Sequence, residues 1–221
     1  MIRFKNISKQ YSGYSALNNV NLNIKKGQMA FLTGHSGAGK TTLLKLATMI
    51  ERPSKGQIIV NDYDLKNIRK KHIPALRRHI GMIFQNPQLL YNRTVFENVA
   101  LPLIISDVTP NEIRKRVRAA LDKVGLLSKE KKYPSALSVG EQQRVGIARA
   151  VVNKPTILLA DEPTGNLDPS LSYDIMKFFE AFNRVGVTVL IATHDLPLIA
   201  SLNHRIITLK EGQIAGGSED E

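Results

Sequence analysis

A short apolar run, MAFLT at Met29 to Thr33, leads without a break into GHSGAGKT at Gly34 to Thr41, and an apolar helical pattern follows at once. That order limits the fold more than any other feature of the chain. A brief, almost wholly apolar run fits a strand buried on both faces. A Gly-rich loop between such a strand and a helix start gathers backbone N–H groups around an anion, the arrangement that cradles nucleotide phosphates. Lys40 would then reach the β- and γ-phosphates and the Thr41 hydroxyl would be placed for Mg²⁺. Gly34, His35, Ser36, Gly37, Ala38, Gly39 and Thr42 complete the candidate cradle. Two more motifs lie downstream: LSVGEQQR at Leu137 to Arg144 and ILLADEP at Ile157 to Pro163.

The rest of the chain reads as alternating strands and helices. Ile2, Phe4 and Ile7, then Val20, Leu22 and Ile24, alternate as two half-buried antiparallel strands, the first closing at Tyr11-Ser12-Gly13. After the loop, Leu43, Leu44, Ala47 and Ile50 recur at helical spacing. Thr109-Pro110-Asn111-Glu112 predicts a capping box opening a charged helix with Ile113, Val117, Ala120, Leu121 and Val124 on one face. Ser138-Val139-Gly140-Glu141 predicts a second box, starting a helix through VGIARAVVN. TILLA, a helix from about Ser170 to Arg184, VTVLIA and RIITL complete an α/β alternation with a mostly parallel sheet. The expected organisation is one domain over 1–221, with a helical insertion at about 87–153 and a flexible Gly-rich, acidic tail at about 216–221.

At 221 residues the chain can bury its own core. It contains no cysteine, which excludes a disulfide framework and fits a reducing compartment. Its apolar runs are too short to span a bilayer and its start lacks a signal-peptide core, so a soluble, cytoplasmic subunit is expected. The net charge of +12 gathers partly in Arg69, Lys70, Lys71, Arg77 and Arg78, and in Arg114, Lys115, Arg116 and Arg118. Such faces attract an anionic membrane surface or nucleic acid, or are simply solvated. With no zinc spacing, helix-turn-helix pattern or aromatic-interleaved basic patch, nucleic acid is the weaker expectation.

The three motifs in this order resemble the nucleotide-binding subunit of ATP-binding-cassette (ABC) systems, and the similarity runs from IRFKNISKQY to the final strand. The resemblance implies a P-loop NTPase fold: an antiparallel β subdomain, a mostly parallel RecA-like core and a helical subdomain. It also implies a Mg²⁺-dependent ATPase, with ATP and Mg²⁺ as cofactors. Asp161, ending an apolar strand, would hold the ion together with Thr41, and Glu162 would act on the attacking water as general base. Gln85, after IGMIF, resembles the glutamine that touches both Mg²⁺ and that water; His194, in IATHD, resembles the histidine that contacts the γ-phosphate. Tyr11 resembles the aromatic that stacks on adenine. Ser138 and Gly140 would meet a nucleotide held by a second copy of the chain, with Asp168 crossing the interface, so ATP would drive homodimerisation. Where the family usually has a first glycine in Leu-Ser-Gly-Gly, this chain has Val139, whose branched side chain disfavours a positive φ and crowds that contact.

FLTGHSGAGKTTLLKL, RTVFENVALPLII and VGIARAVVNKP are similar to the cell-division members of that family. These act with a polytopic membrane partner on the inner membrane's cytoplasmic face and regulate septal cell-wall hydrolysis, with division-ring proteins as further candidate partners. ATPases of lipoprotein-releasing or macrolide-exporting complexes share ADEPTGNLD and remain an alternative, as does an ATP-gated scaffold that does not hydrolyse. The segment Asn86 to Ser106, carrying Leu89, Leu90, Tyr91, Phe96, Val99, Leu101, Leu103 and Ile104, is expected to form the groove for the membrane partner.

Overall fold

Alternation along the buried strands sets the layering of the molecule. The computed structural model describes residues 1–165 and 167–217. In chain order the strands are β1 (Ile2–Tyr11), β2 (Tyr14–Ile24), β3 (Met29–Thr33), β4 (Lys55–Val60), β5 (Tyr63–Asp64), β6 (Ile80–Ile83), β7 (Ile157–Asp161), β8 (Thr188–Ala192), β9 (Arg205–Lys210) and β10 (Gln213–Gly216). The helices are α1 (Lys40–Ala47), α2 (Ile73–Arg78), α3 (Val95–Ile105), α4 (Pro110–Lys123), α5 (Val139–Val151), α6 (Pro169–Arg184) and α7 (Leu196–Ala200).

One sheet runs β2-β1-β4-β5 and is antiparallel; the other runs β10-β9-β3-β8-β7-β6, parallel except for β10. Along β3, Met29 and Phe31 face a core shared with α3, α4, α5 and α6, while Ala30 and Leu32 face a second core shared with α1 and the antiparallel sheet. A strand buried on both faces has no polar alternation to show, which is why β3, β7 and β8 read as continuous apolar runs. β3 lies centrally, with β8 on one side and β9 on the other, so its carboxyl end opens at a point where the chain order reverses. Ligands of open α/β sheets collect at such an edge.

Several sequence expectations change in detail. α1 ends at Ala47, and Ile50 is 49% exposed beyond it rather than on the helix's apolar face. The Thr109 hydroxyl makes no capping bond. Glu112 turns instead to Arg116 one turn on, at 2.6 Å, so α4 starts on Pro110 alone. A capping box unread in the sequence opens α3: Thr94 Oγ1 accepts from the Glu97 N–H and Glu97 accepts from the Thr94 N–H. From the basic run, Arg77 donates to the carbonyls of Thr48 and Met49 and so closes the end of α1. Gly216 belongs to β10, pairing with Thr208, and the Gly217 carbonyl accepts from Arg205. The remainder of the expected flexible tail, 218–221, lies outside the described residues.

Candidate functional site

Where β3 ends, the chain can turn into α1 only with glycine at two crowded positions. Gly34 has φ 150 and a Cβ there would stand 2.2 Å from the Leu209 carbonyl oxygen; Gly39 has φ 108 and would meet the Ala16 carbonyl at 2.6 Å. Gly39 is the N-cap of α1 and supplies no side chain to its open N–H groups, and no acidic residue occupies the first turn. The helix start is left positive and open, as an anion site requires.

A cavity of about 500 Å³ lies over this loop, lined by His35, Ser36, Gly37, Ala38, Gly39, Lys40, Thr41 and Thr42 together with Gln85, Glu162 and His194. Residues scattered from position 35 to 194 are thus brought to one place. The parallel register does this: Leu32 pairs with Ala192 and Ala192 with Asp161, so three strands end at one level. Beyond those ends the Glu162 N–H donates to Ala192 O (2.8 Å) and the Thr193 N–H to Leu32 O (3.0 Å), which fixes Glu162 and His194 at the rim. β6 stops at Ile83, two residues short of Gln85, so Gln85 sits on the following loop rather than at the strand end.

Inside the cavity the charges are tightly coupled. Lys40, 7% exposed, donates from Nζ to the carbonyls of Gly34 (2.6 Å) and His35 (3.3 Å) and lies 3.6 Å from Glu162 Oε1. Glu162 Oε2 lies 2.9 Å from His194 Nδ1 and accepts the His194 N–H at 3.4 Å. Glu162 has φ 48, a left-handed conformation that costs a side chain with a Cβ about 1 kcal/mol or more. Such strain, next to a cleft, holds the carboxylate on the cleft side of the strand end.

Behind this layer, burial pushes the Asp161 carboxyl above its usual range and the Glu162 charge adds to the effect, against a hydrogen bond from Thr41 and the charge of Lys40. Asp161 Oδ1 is buried and has no hydrogen-bond partner. A buried, unpartnered carboxylate oxygen next to a threonine hydroxyl is a hard-oxygen donor set that fits Mg²⁺ or its waters. Asp161→Asn should therefore raise the melting temperature of the nucleotide-free protein at pH 7, since it removes a desolvated charge. The gain should be about 1 kcal/mol, or 2–4 °C for a chain of this size. The sign follows from the raised pKa. The penalty on the charged form is absent below the unfolded-state value of about 3.9 and grows as pH rises toward the raised folded value. Calorimetry at pH 7 and below pH 4 checks this: the gain should vanish at acid pH.

Other expected site residues stand elsewhere. Tyr11 is not among the residues lining the cavity; Tyr14 and Ala16 are. Tyr11 lies one layer back, its ring stacked on Tyr14 with centroids 5.6 Å apart and Lys9 Nζ 4.8 Å from its own centroid. The hairpin that pairs Tyr11 with Tyr14 could have pointed to Tyr14 from sequence, since the turn Ser12-Gly13 sets both on one face. Ser138, Gly140 and Asp168 also lie outside the cavity. Ser138 caps α5 in the expected reciprocal box with Glu141, and hydrogen bonding from Lys129 holds the Glu141 carboxyl below its usual range. A Cβ on Gly140 would sit 2.1 Å from Leu171 Cδ2, so this glycine lets α5 meet α6. Asp168 caps α6, accepting from the Leu171 N–H at 3.0 Å. Val139 is helical, without a positive φ, and 60% exposed. The backbone cost expected from its branched side chain does not arise, because the first position of a helix needs no left-handed conformation.

The apolar excess of 86–106 divides. Leu89, Val99 and Leu103 are buried in the core, while Leu90, Tyr91, Ile104 and Ile105 are exposed. Periodicity alone cannot separate a packed face from an open one. Beside them is a second cavity of about 540 Å³, between α2, β6 and the end of α3, lined among others by Pro74, Arg78, Ile80, Met82, Phe84, Leu101 and Ile105. Among the described residues no helix is long and apolar enough to cross a membrane.

A phosphate cradle on a central strand, two carboxylates at the end of a neighbouring strand and a capped helix after LSVGEQQR define an ATP-binding cassette. The model of the ABC transporter family matches residues 17–165, and the chain belongs to that family. Its relatives include the cell division ATP-binding protein FtsE of Escherichia coli K12, 60% identical over 98% of both chains. FtsE of Bacillus subtilis is 46% identical over 97% of this chain and 94% of its own. Among solved structures, a dimeric ATP-binding cassette in a post-hydrolysis state bound to ADP and Pi superposes with TM-score 0.90 at 37% identity, covering 98% of this chain and 97% of that one.

Proposed function

We propose that this chain is the ATP-binding and ATP-hydrolysing subunit of a cell-division ABC complex. The observation that carries the reading is the meeting of Lys40, Glu162 and His194 in one cavity above Thr41 and Asp161. Open N–H groups of the loop and α1 bind the phosphates, and Lys40 turns its ammonium from the loop carbonyls to the β/γ oxygens. The stacked Tyr14 and Tyr11 form the apolar wall for the adenine. Thr41, Asp161 and Gln85 would hold Mg²⁺, which would neutralise phosphate charge there. Glu162 takes a proton from the attacking water as its oxygen bonds to the γ-phosphorus; the bridging β–γ bond breaks and ADP leaves with that electron pair. His194, placed by Glu162, donates to the γ-phosphate.

Ser138 and Gly140 stand apart from this chain's own cradle, which supports a second copy supplying them, with Asp168 at the seam. ATP then joins two chains and its hydrolysis releases them. The apolar cavity between α2, β6 and α3 receives a cytoplasmic segment of an FtsX-like polytopic membrane protein. Through it the chain sits peripherally on the cytoplasmic face of the inner membrane and regulates septal cell-wall hydrolysis.

Steady-state turnover with and without the membrane partner tests the reading. Partner-stimulated hydrolysis is expected, whereas ATP binding with no turnover in either condition would favour a scaffold. At the groove, Ile105 is 72% exposed. Ile105→Asp should lower partner affinity by about tenfold or more (~1.4 kcal/mol) without shifting the melt. Co-purification measures the loss, and unchanged recovery of the partner would remove this cavity from the interface.

A further inference from the structure

A cavity of about 440 Å³ opens where α4, the turn from α5 into β7 and the turn from α6 into β8 come together. Thr156 and Leu158, on either side of the first residue of β7, and Val187, just before β8, line it, so it lies at the amino edge of the parallel sheet. Asp161 closes β7 at the other edge, five residues beyond Thr156 and roughly 16 Å away at the rise of a strand. The cavity shares no residue with the one over the phosphate loop. Ala120, Val151, Val152 and Leu158, each at most 8% exposed, form an apolar floor, and Val185, 77% exposed, stands at the mouth. The charged residues that line it are all cations: Arg116, Lys123 and Lys154. Glu112 already holds Arg116 at 2.6 Å, whereas Lys123 and Lys154 have no ion pair among the described residues. Lys123 Nζ lies 5.9 Å from the Phe182 ring, itself part of the lining.

The ends of α4, α5 and α6 meet here, and their last carbonyls favour nearby cations. That accounts for lysines at the surface, not for the apolar recess they ring. A recess with an apolar floor and a few convergent charges is built like a small-molecule site, and its volume falls within the roughly 300–1,000 Å³ of such sites. We propose that this cavity binds a single-chain anionic amphiphile, with its hydrocarbon body on Ala120, Val152 and Leu158 and a carboxylate or phosphate head between Lys123 and Lys154. A neutral chain would leave both ammonium groups without a partner, and a bare anion would leave the floor wet. The volume suits one compact molecule rather than the extended contact that a bilayer or a long peptide makes. Because the site lies at the opposite edge of the sheet from the phosphate loop, the amphiphile binds alongside ATP. Its body touches α4 and the end of α5 on one side and α6 and β7 on the other, so occupancy ties these layers together and raises the melting temperature.

Decanoate below its micelle concentration is the probe, with decanol as its neutral match. Titration calorimetry on the full chain should show one decanoate site, at least about tenfold tighter than any for decanol. Saturating ATP with Mg²⁺ should leave that affinity within about twofold, since the two sites are separate. Lys123→Glu combined with Lys154→Glu should weaken decanoate by about tenfold or more and leave decanol unchanged. Ala119→Trp, which fills the recess from the exposed side of α4, should weaken both ligands. Neither change touches the phosphate loop, so ATP affinity held within about twofold certifies that each variant is folded. Decanoate that ATP displaces, or that binds the doubly substituted chain as tightly as the parent, would overturn the site. So would the absence of any decanoate binding, including the case in which phosphatidylglycerol vesicles or a peptide of alternating leucine and aspartate bind through these two lysines instead.

Discussion

Glu162→Gln should lower ATP turnover by about 10²–10⁴-fold while ATP still binds. The amide keeps the size of the side chain and can still accept from the His194 N–H, now 3.4 Å from Oε2. What it loses is the ability to take a proton from water. It also loses the charge that faces Lys40 at 3.6 Å and His194 at 2.9 Å, and so frees both for phosphate oxygens. Binding should then hold steady or tighten, and the ATP-bound state should persist. Turnover by phosphate release, beside affinity by nucleotide fluorescence, separates the two effects. A Glu162→Gln protein that hydrolyses ATP at the parental rate would take Glu162 out of the chemistry and leave His194 or Gln85 as the residue acting on water.

Lys40→Ala should act on the earlier step. Its ammonium, at 7% exposure, is the cation that closes the bottom of the phosphate loop, and a charge-assisted bond of this kind is worth about 1.5–3 kcal/mol. Affinity for ATP should fall at least 30-fold or so (~2 kcal/mol), and turnover with it. In the free protein the same ammonium bonds the Gly34 and His35 carbonyls, so some loosening of the loop is expected as well. A melt without nucleotide measures that part. The opposition of the two variants is the informative result: one keeps its affinity and loses turnover, the other loses affinity first.

Much of this site was open to reading because its residues sit at the ends of strands that carry almost only apolar side chains. β3, β7 and β8 stand out as MAFLT, ILLA and TVLIA, and whatever polar residue follows each must lie at the sheet's carboxyl edge. What escaped depends on partners far along the chain. β4 is stabilised by pairing with β1, Ile2 opposite Val60, and its own residues, KGQIIV, show no clean alternation. The Thr-x-x-Glu patterns that precede α3 and α4 look alike in sequence, yet of that pair only Thr94 forms a box. Glu112 has Arg116 one turn ahead at 2.6 Å, whereas Glu97 turns back to Thr94. Tyr14, which lines the cavity, is a local case instead: it pairs with Tyr11 across the Ser12-Gly13 turn, and that turn is the sequence signal for it. Val139 raised a concern about its backbone that the helix start removes, as the position has no positive φ to satisfy.

The proposal that ATP joins two copies across Ser138 and the phosphate cradle is met most directly by the mass of the Glu162→Gln protein in solution, measured by light scattering with and without Mg²⁺ and ATP. One chain weighs 24.6 kDa. The expected result is one chain without nucleotide and two with it, reverting to one when Ser138→Arg is added. A single-chain mass at saturating ATP, with nucleotide demonstrably bound, would contradict it.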